Sequence, residues 1–421
     1  MVLGVGAINH FQIQILDTHI APQEVITSGA PQYGVEYTRV AEATCSYPVT
    51  RILWEPPISQ KQSTDLLATS GDHLRLWSLP SNPSNAAISN TITRSSSVNT
   101  RSPPPLKLTP LALLSNSKTP EHTAPLTSLD WNTLSPKLII TSSIDTTCTI
   151  WDIPTLTAKT QLIAHDKEVF DVRFCAGSVD VFVSCGADGS VRMFDLRSLE
   201  HSTIIYEPSE KTADRDKGRK PSRDLFKKTK ANKPAGTTPP SALSPTRTPN
   251  QQLSNPPPLL RLAASPHDAH LLATFAADSP LIRILDVRQP GTALLELRGH
   301  SAALNAVEWA PARRGMLASG ADDAQVLVWD LLRGGGAVVN GDAAGAPPSG
   351  NGVASAAAAA APPGAAGHAA AAAASVKGPA ASWRCDYEVA NLSWAPTSVL
   401  TQQGGEWVGV AGGRGVWGVK L

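Results

Sequence analysis

Histidine, a hydroxyl and an aspartate stand at matched offsets in three parts of this 421-residue chain: His122, Thr141 and Asp145; His165, Ser184 and Asp188; His300, Ser319 and Asp323. These are the side chains of nucleophilic hydrolysis, in which an imidazole takes a hydroxyl proton and a carboxylate orients the imidazole. A hydrolase needs one such set, in a cleft, with donors for an oxyanion. Here the set recurs, and two copies add an indole, Trp151 and Trp329, ten residues after the hydroxyl. The third copy ends on Phe194 and lacks that donor. Polar side chains that recur with a repeat are expected to form a buried hydrogen-bonded chain that satisfies each member. Catalysis is therefore the distant alternative. Its mark would be a polar cluster, outside the repeat pattern, lining a central channel.

The elements that hold these residues follow from the tryptophans. Eight of the ten fall into pairs, Trp54/Trp77, Trp131/Trp151, Trp309/Trp329 and Trp394/Trp417, spaced 20 or 23 residues apart. Phe174/Phe194 and Ala264/Leu285 keep the layout without tryptophan, 20 and 21 residues apart. A fixed period means one supersecondary unit is being stacked. Between the two aromatics lie two short β-branched or aromatic runs joined by Gly, Asp and Ser, as in Val181–Ser184, Gly186-Ala187-Asp188-Gly189 and Val191–Phe194. Such runs are strands joined by hairpin turns. Their two faces are both largely apolar, so the sheets are expected to be covered on both sides.

Histidine before the first strand, hydroxyl, turn aspartate and closing tryptophan together resemble the WD repeat. That resemblance implies an all-β, seven-bladed propeller of four-stranded blades. The expected divisions are a partial blade 1 at 1–40, blade 2 at 45–80, blade 3 at 122–163, blade 4 at 165–207, blade 5 at 258–298, blade 6 at 300–332 and blade 7 at 383–421. Three inserts interrupt them: 81–121, rich in Ser, Asn, Thr and Pro; 208–257, basic and Pro-rich; and 333–382, largely Ala and Gly. Low-complexity segments of this kind bury too little apolar area to offset ordering entropy and are expected to be disordered. Rim loops accept long insertions because closure entropy grows slowly with length.

Two blocks narrow the resemblance. Ala124–Asn132 continuing to Thr141–Trp151, and Lys159–Val169 continuing through Gly186–Arg197 to Glu207, look like the Transparent Testa Glabra-type WD-repeat adaptors of plants and their animal and fungal counterparts. Leu66–Asp72 and Ile284–Arg288 support this. The resemblance implies a non-catalytic scaffold that carries helix-loop-helix and Myb-type transcription factors or DYRK-type kinases. The alternative it implies is a substrate receptor of a cullin-4 ubiquitin ligase, bound through that ligase's adaptor. The receptor role goes with a strand ending in aromatic-Asp-x-Arg. Phe194-Asp195-Leu196-Arg197 fits, and Leu285-Asp286-Val287-Arg288 fits without the aromatic, so Arg197 and Arg288 are the candidate partner contacts. A local salt bridge is the bland alternative for both. In that family a strand and a tryptophan precede the counterpart of the Val2–Leu16 hairpin. A start of translation upstream of Met1 is therefore expected, with a strand to complete the last blade at Trp417–Leu421.

Composition sets the remaining expectations. Lys211–Lys233 holds ten Lys or Arg against three Asp, in a chain whose net charge is only +1. Lys227, Lys228 and Lys230 fit a nuclear-import signal, and a solvated linker explains them equally. No recognition helix follows, so direct nucleic-acid binding is not expected. Six Ser/Thr-Pro pairs, Thr109-Pro110 among them, fall in the inserts. The five cysteines form no metal-spaced pair, no phosphate-cradling loop opens a helix, and no His-Glu-x-x-His occurs. No cofactor, metal or small-molecule substrate is therefore expected. No apolar run approaches a membrane span, and residence in nucleus and cytoplasm is the expectation.

Overall fold

The computed structural model describes residues 2–7, 10–23, 32–56, 66–80, 105–115, 123–208, 256–332, 375–395, 406–413 and 415–420. Their regular structure is entirely β, arranged as seven sheets of a β-propeller whose blade strands run antiparallel. Blade 1 is β1 (Val2–Ala7), β2 (His10–Gln23) and β3 (Gln32–Cys45). Blade 2 is β4 (Arg51–Trp54), β5 (Leu66–Ser70), β6 (Leu74–Ser78) and, after the two-residue β7 (Leu106–Lys107), the outer strand β8 (Thr109–Leu114). Blade 3 runs β9 (Leu126–Trp131), β10 (Leu138–Ser143), β11 (Thr147–Asp152) and β12 (Thr157–Ile163). Blade 4 runs β13 (Val169–Phe174), β14 (Val181–Gly186), β15 (Val191–Asp195) and β16 (Ser198–Tyr206). Blade 5 is β17 (Leu259–Ala264), β18 (Leu271–Ala276), β19 (Leu281–Asp286) and β20 (Leu295–Arg298). Blade 6 has β21 (Leu304–Trp309), β22 (Met316–Ala321) and β23 (Gln325–Asp330); β24 (Ser375–Lys377) then leads into its outer strand, β25 (Ala381–Arg384). Blade 7 holds β26 (Val389–Trp394), β27 (Trp407–Gly412) and β28 (Gly415–Lys420).

The first strands of successive blades pack on one another, β4 on β9, β9 on β13, β13 on β17, β17 on β21 and β21 on β26, so they line the centre of the ring. Both faces of the middle strands of blades 2 to 6 are largely apolar because each of these blades is sandwiched between two others. Six buried clusters join blades 1 to 7 in order. Leu74 and Leu76 of blade 2 meet Leu129 and Trp131 of blade 3, for instance, and Phe275 and Ile284 of blade 5 meet Trp309 and Trp329 of blade 6. Burying one such side chain contributes about 1.5–3 kcal/mol, so the blade interfaces hold the ring together.

Three boundaries read from composition move. The stretch 81–121, assigned to an insert, contains β7 and β8, because the apolar run Leu111–Leu114 pairs with β6 as the fourth strand of blade 2. In the same way 333–382 contains β24, and β25 completes blade 6 where blade 7 was expected to begin. Blade 1 extends past residue 40 to Cys45. The short strands make rim stitches that periodicity does not reveal. β7 pairs in parallel with β3 of the preceding blade, and β24 in parallel with β20. Gly291, on the way into β20, donates its N–H to Ile205 O of blade 4 at 2.8 Å. In each case the chain crosses to the previous blade's outer strand before forming its own.

Candidate functional site

The His–hydroxyl–Asp sets are built into the turns between the second and third strands. His300 Nε2 lies 2.8 Å from Ser319 Oγ, its Nδ1 lies 3.1 and 3.0 Å from the two Asp323 oxygens, and Trp329 Nε1 donates to Ser319 Oγ at 2.8 Å. His165 repeats this with Ser184 at 2.8 Å and Asp188 at 3.1 and 2.9 Å. Phe194 takes the tryptophan position there and stacks on Phe182 at 5.0 Å. In blade 3, Trp151 Nε1 donates to Thr141 Oγ1 at 2.9 Å, while His122 lies outside the described residues. Each aspartate also accepts the backbone N–H two residues on: Thr147 N to Asp145 at 3.0 Å, Ser190 N to Asp188 at 3.0 Å and Gln325 N to Asp323 at 3.1 Å. The residue between is left-handed in all three turns, with φ of 74° at Thr146, 76° at Gly189 and 59° at Ala324. The aspartate is therefore a turn clamp first.

These sets are closed to substrate. Ser184 and Ser319 are fully buried and Thr141 nearly so, and no acyl group can reach them. Burial pushes the His300 imidazole down, against the pull of Asp323, which keeps it neutral as a network member. Burial pushes the Asp188 carboxyl up, but hydrogen bonds from His165 and Ser190 more than offset this and hold it well below the usual carboxylate range. Replacing Asp188 with Ala should cost about 1–3 kcal/mol through the donors it leaves unmet. Urea denaturation checks this; an unchanged midpoint would remove the network from the stability of blade 4. Blade 2 carries a variant not foreseen from the sequence. Trp77 Nε1 donates to Thr69 Oγ1 at 2.9 Å, and His73 stands where the aspartate is expected, 3.0 Å from Asp72 and 3.1 Å from Thr123 Oγ1. The signal was Thr69 eight residues before Trp77.

A polar cluster does lie among the first strands. Asp171 is fully buried and accepts Ser128 Oγ at 2.6 Å, Val172 N at 2.9 Å, Leu262 N at 2.9 Å and Arg173 Nη2 at 3.3 Å, with Arg51 Nη1 at 3.8 Å. Asp130 accepts Phe174 N from the next blade at 2.8 Å, and Glu308 accepts Trp394 N from the next blade at 3.1 Å. Burial pushes both of these carboxyls up to about 7, against the opposing pull of Arg51 and of those amides. The first tryptophans add matching struts: Trp309 Nε1 donates to Ala263 O at 3.0 Å and Trp394 Nε1 to Glu308 O at 3.1 Å. Asp130 and Glu308 each precede the first tryptophan of a pair, a position legible in the sequence and left unread. Asp130 and Glu308 share one repeat position while Asp171 and its arginines do not, but all three acids accept backbone amides across blade seams, so the cluster serves as mortar between blades. Its hydroxyl, Ser128, is fully buried and spends its proton on Asp171, closed to an incoming substrate.

Arg197 and Arg288 share one geometry. Each backbone N–H and Nε donates to Oδ1 of the aspartate two residues before, at 2.9 and 2.9 Å for Asp195 and 2.9 and 3.0 Å for Asp286. Nη2 closes the fork on Oδ2 at 2.6 and 2.7 Å. The salt bridge is thus local, and the guanidiniums remain exposed on the face formed by the turns that follow the first and third strands of each blade. Asp330 makes the same turn through Leu332 N at 3.0 Å but with leucine at the arginine position. Lys227, Lys228 and Lys230 lie outside the described residues, as do the Ser/Thr-Pro pairs of the inserts other than Thr109-Pro110 on β8. Among the described residues no His, Cys, Asp or Glu group is placed to hold a metal ion. The five cysteines are buried and unpaired, and burial pushes the Cys175 thiol up to about 12.

The ring, its turn clamps and its tryptophan hydroxyl bonds define a repeat protein, and comparison with known sequences agrees. The WD domain, G-beta repeat, matches residues 115–152, 157–195 and 291–330. The chain belongs to the WD-repeat family. It is 37% identical over 362 residues to an uncharacterized WD repeat-containing protein of Schizosaccharomyces pombe, covering 84% of this chain and 72% of that one. It is 40% identical over 300 residues to the DDB1- and CUL4-associated factor 7 homolog of Dictyostelium discoideum, covering 70% of this chain and 71% of that protein. A WD repeat-containing protein of Saccharomyces cerevisiae is 43% identical over 298 residues, which make up 70% of this chain but half of the yeast protein's length.

Proposed function

We propose that this propeller is a non-catalytic adaptor that acts as a receptor subunit of a cullin-4 ubiquitin ligase. The likeness to a DDB1- and CUL4-associated factor over most of both chains carries this reading. Arg197 and Arg288 support it: a clamped, exposed guanidinium is the planar multi-donor group suited to anchoring a partner. The Transparent Testa Glabra-type blocks at 124–151 and 159–207 favour a second reading, a scaffold for DYRK-type kinases or for helix-loop-helix and Myb-type transcription factors. Under either reading we expect the protein in nucleus and cytoplasm, with Lys227, Lys228 and Lys230 as the candidate import signal.

Affinity purification from the native cells, beside an Arg197→Ala/Arg288→Ala double variant, separates the readings. The cullin-4 adaptor is expected with the wild type and lost from the folded variant. Kinases or transcription factors retained by both, without the ligase adaptor, would favour the scaffold reading and remove the anchor role from these arginines.

A further inference from the structure

The face that carries Arg288 has a second fork that no motif announces. Arg314, in the first turn of blade 6, donates through Nε to Asp268 Oδ1 and Oδ2, both at 3.0 Å, and Asp268 belongs to the first turn of blade 5. The two forks are neighbours: Val287 N donates to His270 O at 2.9 Å, and Asp268 acts on Arg288 as well as Arg314. The carboxylates lie beneath the guanidiniums, with Asp286 at 3% and Asp268 at 7% exposure against 62% for Arg288 and 65% for Arg314. Each aspartate holds Nε and Nη2, so each arginine is rigid and leaves Nη1 without a partner among the described residues. Beside Arg314, Leu332 is 67% exposed and packs over Gly315, where a Cβ would stand 2.6 Å from Leu332 Cγ. Leu294 is exposed on the same blade 5 connection. Arg313, paired with Glu406 at 3.4 Å, continues the row to blade 7.

We propose that this edge, Arg288 and Arg314 fixed over buried Asp286 and Asp268 with Leu332 beside them, docks an extended acidic segment of a partner protein. It rests on the reading of the chain as a protein-binding scaffold, not on the ligase in particular. An incoming carboxylate meets preorganised donors and loses little side-chain entropy on binding. Two forks, each with one open Nη1, match a few carboxylates and fall short of the accumulated charge from which a polyphosphate such as nucleic acid draws its affinity. The exposed leucines add apolar contact that a protein segment can use.

Fluorescence anisotropy of the full chain with a labelled peptide of alternating glutamate, leucine and serine tests this. The wild type should bind it, and Arg314→Ala should bind about tenfold more weakly, the loss of one charge-assisted contact. Arg314→Lys, which keeps the charge and loses the fork, should also weaken binding, and both variants should melt as cooperatively as wild type. A glutamine version of the peptide should bind poorly. Equal binding by wild type and Arg314→Ala overturns the proposal, as does equal binding of the glutamine peptide or of single-stranded oligothymidylate. Arg197 is untouched in these variants, so peptide binding can fail while the ligase adaptor still co-purifies, and the reverse.

Discussion

Asp171→Ala is expected to destabilise the ring by roughly 3–5 kcal/mol, the range for removing one partner from a buried charged network. The residue belongs to blade 4, but its four accepted hydrogen bonds reach Ser128 of blade 3 and Leu262 of blade 5 as well as its own strand. Truncation removes the carboxylate nearest the Arg173 guanidinium, leaving it the Leu262 and Leu129 carbonyls at 3.0 and 3.3 Å and Asp130 at 3.8 Å, and leaves the Leu262 amide unmet in a buried seam. Asp171→Asn should cost less, because its amide oxygen can still accept one of the two backbone amides. Urea denaturation of both variants measures this. A wild-type midpoint for Asp171→Ala would show that the seams hold by apolar packing alone.

What the sequence disclosed depends on how far apart the partners are. The turn sets were legible because His165, Ser184 and Asp188 lie within one repeat and recur in the next. The seam acids were not. Asp130 finds Phe174 and Glu308 finds Trp394, 44 and 86 residues away in the following blade, so no local pattern marks them beyond their place before a tryptophan. Strand β8 was hidden for another reason. Its short apolar run sits in Pro- and Ser-rich surroundings, and only pairing with β6 makes it a strand. Arg314 has no motif at all, since its fork is completed by Asp268 from another blade.

These scales of interaction also explain why a propeller suits a scaffold. Turn clamps fix the hairpins of blades 3, 4 and 6, seam acids fix blade to blade, and rim stitches bind outer strands to their neighbours. With backbone geometry set by buried groups, a surface residue such as Arg197, whose fork closes within its own turn, can vary without loss of fold. Function then lives in exposed connections carried by a rigid ring.

The seam acids give the ring a pH response of unusual sign. Asp130 and Glu308 titrate near 7 in the folded protein and near 4 in the unfolded chain. Between those values the folded state holds protons that the unfolded state has released. Stability from these two groups is therefore complete below about pH 4 and is lost as pH rises through 7. The loss is a few kcal/mol at most for each group, at about 1.4 kcal/mol per pKa unit, with the opposing pull of Arg51 already counted in those positions. Asp188 works the other way: its carboxyl lies below the unfolded value, so its contribution is present above about pH 4 and lost on acidification. The stability maximum is therefore expected on the acidic side of neutrality. In Asp130→Asn/Glu308→Gln, which keeps a neutral acceptor for Phe174 N and Trp394 N, the decline from pH 5 to pH 8 should flatten. The double variant should gain on the wild type as pH rises. Melting curves of both proteins across that interval test it, and parallel profiles would falsify the assignment of these carboxyls as the protonated seams of the ring.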